Sequence, residues 1–235
     1  MNEFAEKIVI FTDGSSLGNP GSGGWGAVVV FPDGGVTELG GADKNTTNNK
    51  MELLATIEAL NFSKEEKASV LLRTDSSYVI NGITKWVRGW QANGWMTQAR
   101  KPVLNKELWE KLIIETKKRK IEWKHVEGHA GIAGNERTDA IANSFASGDT
   151  PKLFNGHKKD YKIDVTNVTY NAAQKSNKDR AKAKAYSYLS LVDGKIAIHK
   201  TWVECKARVD GKRNVKFRKA LSAENEYEIK EEWGV

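Results

Sequence analysis

The sequence predicts an α/β fold in which helices pack on a mixed sheet of five strands. Two observations support this fold class. Five short runs rich in β-branched and aromatic residues occur before residue 149, at KIVIFTD, GWGAVVVF, VTELGG, ASVLLRTD and KIEWKHVEG. Turn residues join the first three runs, whereas helical segments separate the later ones. Hairpins followed by helical crossovers indicate a sheet with both antiparallel and parallel neighbours.

The helical segments are recognised by the spacing of their apolar residues. Met51, Leu54, Ile57 and Leu60 recur at the spacing of one helix face in NNKMELLATIEALNF. Three further helices are predicted at SSYVINGITKWVRGW, LNKELWEKLIIETKK and NERTDAIANSFAS. We interpret the tryptophans at positions 86 and 109 as core residues between helices.

The chain changes character after residue 148, and we predict three segments. Residues 1–148 form a body, residues 149–183 a basic linker, and residues 184–235 a small αβ module. In the module, AYSYLSLV and KIAIHKT pair across Asp193-Gly194, and VKFRKA completes a three-stranded antiparallel sheet. TWVECKARV and SAENEYEIKEEW are its two short helices. The alternation in YKIDVTNVTY leaves open that part of the linker packs as an extra strand.

The net charge of +7 is unevenly distributed. Residues 1–150 carry 18 Lys and Arg against 19 Asp and Glu, so the positive excess lies wholly beyond them. A basic appendage on a near-neutral body indicates a polyanionic partner, most simply nucleic acid. A solvated Lys-rich surface that aids solubility is the alternative interpretation.

The cysteine count and the lengths of the apolar runs indicate the cellular compartment. The chain has one cysteine, Cys205, so no internal disulfide is possible and a reducing cytoplasm is expected. No apolar run approaches the roughly 20 residues needed to cross a bilayer, and the first residues do not read as a signal peptide. We therefore expect a cytoplasmic protein with no membrane partner, and we also predict a monomer.

Four acidic residues stand in contexts that predict one shared site. Asp13 and Asp75 follow strand-like apolar runs, and Glu52 and Asp139 lie near the starts of predicted helices. Converging carboxylates repel one another, so a cluster of this kind implies a bound metal ion. Any one of them, taken alone, would be read as a helix cap or a surface charge.

Four segments resemble the successive signature segments of type 1 ribonuclease H, in the same order and at similar spacings: FTDGSSLGNPGSGGWGAVV, TTNNKMELLATIEAL, TDSSYVINGITKW and GHAGIAGNERTDAIA. The resemblance covers about residues 6–147. It implies a five-stranded mixed sheet flanked by helices. It also implies endonucleolytic hydrolysis of the RNA strand of RNA–DNA hybrids, leaving 5′-phosphate and 3′-hydroxyl ends, with two Mg²⁺ ions per site and Mn²⁺ as an alternative.

The resemblance assigns catalytic roles residue by residue. Asp13, Glu52, Asp75 and Asp139 match the metal ligands, with Asp13 bridging two ions. His129 matches the mobile-loop histidine that shuttles a proton or assists product departure, and an ordinary surface histidine is the alternative. A non-cleaving hybrid binder is disfavoured because all four acids are present. A resolvase or transposase nuclease is disfavoured because GNPG and TTNNKMEL fit hybrid recognition.

Substrate contacts follow from the same matching. Asn19, Asn48 and Asn49 would contact the minor groove and its 2′-hydroxyls, and Thr47 and Asn105 would grip a phosphate of the DNA strand. Ser77 and Ser16 depart from the common pattern, where a longer amide and a cysteine are frequent, so one 2′-hydroxyl contact is expected to be absent or water-mediated.

The C-terminal module resembles the hybrid-binding domain usually found at the N-terminus of eukaryotic and some bacterial type 1 enzymes. The matching residues are Tyr188, Trp202, Phe217, Arg218 and Lys219. Aromatic faces and cations on a small sheet can press on sugars and pair with phosphates. Three alternatives stay open: the aromatic residues form a core, the module binds protein, or it binds double-stranded nucleic acid in general.

Overall fold

The computed structural model describes residues 3–128, 130–169 and 184–234. Contacts divide the chain into two compact units, Met1–Ala172 and Ala173–Val235. Each unit has a sheet and a core of its own. No helix within the described ranges is both long and apolar enough to cross a membrane.

The first unit alternates strands and helices. Its strands are β1 (Ile8–Ser16), β2 (Gly21–Val30), β3 (Gly35–Thr46), β4 (Val70–Thr74), β5 (Ile121–His125) and β6 (Asn155–His157). Its α-helices are α1 (Glu3–Glu6), α2 (Asn48–Phe62), α3 (Ser77–Asn81), α4 (Val87–Ala92), α5 (Lys106–Lys117) and α6 (Ala133–Ala146). A π-helical turn, Gly82–Trp86, joins α3 to α4, and a short 3₁₀ turn, Lys158–Asp160, follows β6.

The six strands form one mixed sheet in the order β5-β4-β1-β2-β3-β6. β1, β4 and β5 run parallel to one another, and β2, β3 and β6 join by antiparallel pairing. Hairpins join β1 to β2 and β2 to β3, helices lie between β3, β4 and β5 in the chain, and β6 follows α6. The predicted fold class is confirmed, with one strand more than the five that the sequence predicts.

Side chains of β1 alternate between the two faces of the sheet. Ile8 and Ile10 pack in the larger core with α2 and α5, which includes the fully buried Trp109. Val9 and Phe11 pack in a second core on the opposite face. Because both faces are covered, the strand is a continuous apolar run and not an alternating one. β1 is thus packed on both faces up to Thr12, the residue before Asp13.

The segment after α6 differs from the linker predicted at residues 149–183. β6 pairs with Gly35–Thr37 of β3, and Val165 is fully buried in the second core. Residues up to 169 therefore belong to the first unit, and residues 170–183 lie outside the described ranges. The sixth strand escapes sequence analysis because it has three residues, Asn-Gly-His, all exposed to solvent.

The second unit has the predicted three-stranded antiparallel sheet, in the order β8-β7-β9. Its strands are β7 (Ser187–Val192), β8 (Lys195–His199) and β9 (Lys216–Ala220), and its helices are α7 (Trp202–Val209) and α8 (Ala223–Trp233). Asp193 and Gly194, at φ of 51° and 72°, form the hairpin turn, as the Asp-Gly pair predicts. Thr201 caps α7 through a capping box with Glu204.

Candidate active site

Two neighbouring parallel strands bring Asp13 and Asp75 to the same edge of the sheet. β1 and β4 run in a register that pairs Thr12 with Thr74. Asp13 follows Thr12, and Asp75 follows the last residue of β4. In open α/β sheets, the carboxyl ends of parallel strands are where ligands bind. The two carboxylates therefore lie where the architecture places a site.

Glu52 reaches this edge from the first turns of α2. Thr47 caps the helix by accepting a hydrogen bond from the backbone N–H of Lys50, at 3.3 Å. Gly14 of β1 lies directly against the helix, since a Cβ built on it would stand 2.3 Å from the backbone nitrogen of Glu52. Only a residue without a side chain permits this approach. The contact places Glu52 beside Asp13.

Asp139, on α6, is joined to the same strand by hydrogen bonds. Its Oδ1 accepts from Asn143 Nδ2 at 2.8 Å, and Asn143 Oδ1 accepts from Ser15 Oγ at 2.6 Å. Ser15 is two residues beyond Asp13 and so lies on the same face of β1. The chain of bonds fixes the helix carboxylate relative to the strand carboxylate.

The electrostatics of Asp13 show that the four acids share one environment. Burial raises the pKa of Asp13 well above its ordinary value, and the charges of Asp75, Asp139 and Glu52 raise it further. A hydrogen bond of 2.7 Å from the Gly14 N–H to Asp13 Oδ1 opposes the shift without cancelling it. A buried anion surrounded by anions is unfavourable unless a cation is present.

The pKa of Glu52 is raised as well, and side-chain hydrogen bonds oppose the shift. Burial raises its pKa to about 7, and the charge of Asp75 adds to the effect. Ser76 Oγ donates to Glu52 Oε2, and Asn48 Nδ2 donates to Oε1 at 2.9 Å, so both oxygens have a partner and the shift is held back. Because its pKa is about 7, a cation bound beside this carboxyl would favour loss of its proton near neutral pH.

The donor chemistry fits a hard divalent cation. All four side chains offer carboxylate oxygens, the ligands that Mg²⁺ prefers. Within the described ranges, no group of three or more His, Cys, Asp or Glu side chains is arranged closely enough to hold a metal ion by itself. That Mg²⁺ is the ion held by these four acids stays a prediction from the sequence.

His129 lies outside the described residues, and its role stays a prediction. The residues near it in the chain are described. A Cβ on Gly128 would lie 2.6 Å from Asp75 Oδ2, so the backbone there passes close to the acidic site. The N–H of Gly131 donates to Glu136 Oε1 at 3.3 Å.

The predicted substrate residues lie on several elements of the first unit. Asn48 and Asn49 open α2 beside the acids, and Asn19 is exposed in the turn between β1 and β2. Asn105 stands directly before α5 with φ of 58°, and its Nδ2 donates to the Tyr78 hydroxyl at 3.3 Å. Their contacts with a substrate stay predictions.

An apolar groove of about 590 Å³, which the sequence did not reveal, adjoins these residues. Its lining consists of Asn49, Tyr78, Trp90, Thr97, Lys101, Pro102, Val103 and Leu104. Trp86 contacts two of these residues, Tyr78 and Trp90, with tilted rings whose centroids are 6.2 and 5.7 Å away. Trp86 is 39% exposed, so its predicted place in the core is wrong, whereas that of Trp109 is confirmed. An aromatic wall beside polar side chains suits the sugar and base edges of a nucleic-acid strand.

The second unit carries a separate aromatic surface. The ring of Trp202 lies between those of Tyr188 and Phe217 in tilted contacts, at centroid distances of 5.8 and 5.4 Å. Trp202 and Phe217 keep 40% and 52% of their surface exposed, so they are not simply core residues. Lys219 pairs with Tyr188 in the sheet and shares its face. We call Tyr188, Trp202, Phe217 and Lys219 the aromatic face.

Arg218 does not belong to the aromatic face, although the sequence predicts it there. Successive residues of a strand point to opposite sides, and Arg218 stands between Phe217 and Lys219. Its guanidinium donates to both carboxylate oxygens of Glu232 on α8, at 2.9 Å for Nη2. Its charge is directed to that helix, away from the rings of the aromatic face.

Known proteins resemble the first unit closely. A family model described as RNase H matches residues 5–147. The ribonuclease H of Cyanothece sp. is 51% identical over 150 residues, which cover 63% of this chain and 95% of that protein. The ribonuclease H of Herminiimonas arsenicoxydans is 52% identical over 138 residues, or 59% of this chain and 93% of that one.

A solved structure agrees with the sequence comparison. LC9-RNase H1, described as a type 1 RNase H with the type 2 active-site motif, superposes with a TM-score of 0.57 at 31% identity. The match covers 66% of this chain and 80% of that structure. Together with the acids that meet at the end of β1, these similarities show that the chain is an enzyme of the ribonuclease H family.

Proposed function

We propose that the first unit cuts the RNA strand of RNA–DNA hybrids internally by two-metal-ion hydrolysis, leaving 5′-phosphate and 3′-hydroxyl ends. Membership of the ribonuclease H family supports RNA cleavage in hybrids. The observation that carries the finer proposal is the burial of Asp13 beside three other carboxylates. Such a site is unstable on its own and is suited to concentrated positive charge.

The four acids have distinct parts in this proposal. Bound divalent ions would supply an activated water and stabilise the leaving oxygen. Asp13, central to the site, would bridge them. Asp75 and Asp139 would hold the nucleophile side and Glu52 the leaving-group side. Ser76 and Asn48 orient the Glu52 carboxylate by hydrogen bonds to its two oxygens.

Substrate selection would rest on the surface around the start of α2. Asn19, Asn48 and Asn49 would read 2′-hydroxyls of the RNA strand, since an amide both donates and accepts. Thr47 and Asn105 would hold a phosphate of the DNA strand. The apolar groove between Asn49 and Leu104 supports this assignment, because its aromatic wall can receive the sugars next to that phosphate.

The second unit would hold the same hybrid through its aromatic face. Exposed aromatic rings in mutual contact next to a lysine support a nucleic-acid surface over a packed core. A module that binds protein, or any double-stranded nucleic acid, is the alternative. The monomeric state and the cytoplasmic location stay predictions from the sequence.

A substrate panel tests the proposal. Labelled RNA–DNA hybrid, double-stranded RNA and double-stranded DNA are incubated with the full chain, with Mg²⁺ or with EDTA. We expect cleavage of the RNA strand of the hybrid alone, in Mg²⁺ alone, and product ends that a ligase requiring a 5′-phosphate accepts. Cleavage of double-stranded RNA at a comparable rate, or activity in EDTA, would contradict the proposal.

A further inference from the structure

Glu38 of β3 is a buried anion with unusually complete hydrogen bonding. It is 3% exposed. Arg137 donates to its two oxygens from Nε and Nη2, at 2.7 and 2.8 Å. The Phe154 N–H donates at 2.9 Å and the Tyr161 hydroxyl at 2.6 Å. Burial alone would raise the pKa of Glu38, but these bonds outweigh it and the pKa lies below its ordinary value. The carboxylate is therefore held as an anion at a fixed place.

The four donors come from two parts of the chain that meet at this carboxylate. Arg137 belongs to α6. Phe154 and Tyr161 belong to residues 152–163, which we call the strap. The strap is joined to the body through β6, through the carbonyl of Phe154, which accepts from the Glu38 N–H at 2.8 Å, and through the carbonyl of Lys152, which accepts from Arg137 at 3.4 Å. Glu38 thus joins the central sheet, α6 and the strap at one point.

Arg137 precedes the proposed metal ligand Asp139 by two residues on the same helix. At about 100° per residue, the two side chains leave the axis roughly 200° apart, on opposite sides. Any rotation of α6 that releases one of them must move the other. The start of α6 has no side-chain cap at Ile132, so its first turn lacks the usual fastening.

Stability alone is a weak explanation for this arrangement. Buried ion pairs often contribute little net free energy, because desolvation offsets the attraction. Their better-attested effect is to specify one geometry. A site that binds metal through widely separated elements depends on geometry to within about an ångström. The polar junction at Glu38 supplies such control on the side of α6 away from the site.

We propose that Glu38 is a positioning residue: with Arg137 and the strap residue Tyr161, it fixes the rotation of α6 so that Asp139 faces the other three acids. This inference rests on the proposed function, since it takes Asp139 to be a metal ligand. The strap therefore contributes to catalysis by helping to orient α6, although the family match ends at residue 147.

The test compares three variants of the full chain. Glu38→Gln breaks the charge pair, and Tyr161→Phe removes one donor while leaving the ion pair intact. Ile113→Val, on α5, is a control that lowers stability from the far face of the sheet. Mn²⁺ binding is measured without nucleic acid, by electron paramagnetic resonance of the free ion. Thermal unfolding, kcat and KM are measured beside it.

We expect Glu38→Gln to weaken Mn²⁺ binding roughly tenfold and Tyr161→Phe by a smaller factor, as for residues that orient metal ligands. In both variants kcat falls at fixed Mg²⁺, and KM for hybrid changes less than about twofold because the proposed substrate contacts lie on other elements. Ile113→Val should lower the unfolding temperature and leave Mn²⁺ binding unchanged.

The inference is overturned if the Glu38 and Tyr161 variants lower the unfolding temperature but bind Mn²⁺ like the wild type. It is equally overturned if Ile113→Val weakens Mn²⁺ binding as much as they do, or if the wild type binds no Mn²⁺. Wild-type protein that binds Mn²⁺ but fails to cleave hybrid would refute the proposed function instead. The two failures are therefore distinguishable.

Discussion

Gly14 lies directly against the backbone of Glu52. A Cβ added to Gly14 would stand 2.3 Å from the amide nitrogen of Glu52. The next nearest atom is the backbone carbon of Met51, at 2.5 Å. Backbone atoms cannot turn aside as a flexible side chain can. The glycine therefore sets how closely α2 approaches β1, and with it the separation of the carboxylates of Asp13 and Glu52.

Gly14→Ala should separate these two carboxylates. We expect a loss of about 1–3 kcal/mol of stability from overpacking and a fall in kcat of up to about 10²-fold from misplaced ligands. Gly89→Ala is the matched control, because Gly89 lies within α4 and a Cβ there meets nothing within 4 Å. It should be neutral or stabilise by up to about 1 kcal/mol. Wild-type turnover in Gly14→Ala would contradict the close-contact argument.

The metal-free protein should lose stability as pH rises. The pKa of Glu52 lies at about 7 in the folded state against 4.5 ordinarily, and that of Asp13 is raised in the same direction. The folded state therefore binds more protons than the unfolded state between these values, and the free energy of unfolding falls as pH rises from about 4.5 to about 7. Below that window both states are protonated, and the penalty disappears.

Urea unfolding in EDTA at pH 5.5 and pH 8 measures this effect. We expect the wild type to be less stable at pH 8 by on the order of 1–3 kcal/mol, and Glu52→Gln to reduce the difference. Added Mg²⁺ should restore stability at pH 8, because ligand binding favours the folded state. Equal or greater wild-type stability at pH 8 in EDTA would contradict the raised pKa values of Glu52 and Asp13.

His129→Ala should slow turnover without abolishing it. A proton shuttle contributes about 10²-fold or more, whereas the metal site supplies the remainder. Single-turnover and steady-state rates at saturating Mg²⁺ separate a slower chemical step from slower product release. Unchanged rates in both would leave the histidine without a catalytic role.

The second unit should affect binding and not chemistry. Deleting residues 173–235 removes it at the boundary between the compact units, and the family match at residues 5–147 lies wholly in the part that remains. We expect a higher KM for long hybrids, a weaker dependence of KM on salt, and little change in kcat.

Two substitutions locate this effect on the aromatic face. Trp202→Ala should reproduce most of the deletion, since stacking on a base or sugar is worth about 1–3 kcal/mol. Arg218→Ala should change little, because that guanidinium is paired with Glu232 on the other side of the sheet. Circular dichroism of each variant checks that the fold is kept. If Arg218→Ala weakens binding more than Trp202→Ala, the assignment of the face is wrong.

Most of the fold could be predicted because local patterns and tertiary structure agree. The buried run of β1, the Asp-Gly turn at residues 193–194 and the Thr201 cap each specify their own element. β6 could not be predicted, since three exposed residues form a strand only because β3 offers a free edge. The exposure of Trp86 could not be predicted, because helical spacing does not show which tryptophan borders a groove.

Some residues of the site could likewise be predicted from the sequence, and others could not. The acids could be named from their segments, and Arg218 could have been excluded from the aromatic face by the alternation of KFRKA alone. The junction at Glu38 could not be found, because its partners Arg137 and Tyr161 lie 99 and 123 residues away in the chain. Such contacts carry no local signal. They exist only once the sheet, α6 and the strap have assembled.

The most direct test of the central claim is Asp13→Asn, assayed for binding and for cleavage of the same hybrid. The amide keeps the shape of the side chain but cannot offset the charge of two ions. We expect binding within about twofold of the wild type, Mg²⁺-dependent cleavage lower by at least about 10³-fold, and equal or greater stability in EDTA. Cleavage at more than about a tenth of the wild-type rate, a barrier change of under roughly 1.4 kcal/mol, would contradict the assignment of Asp13 to the metal site.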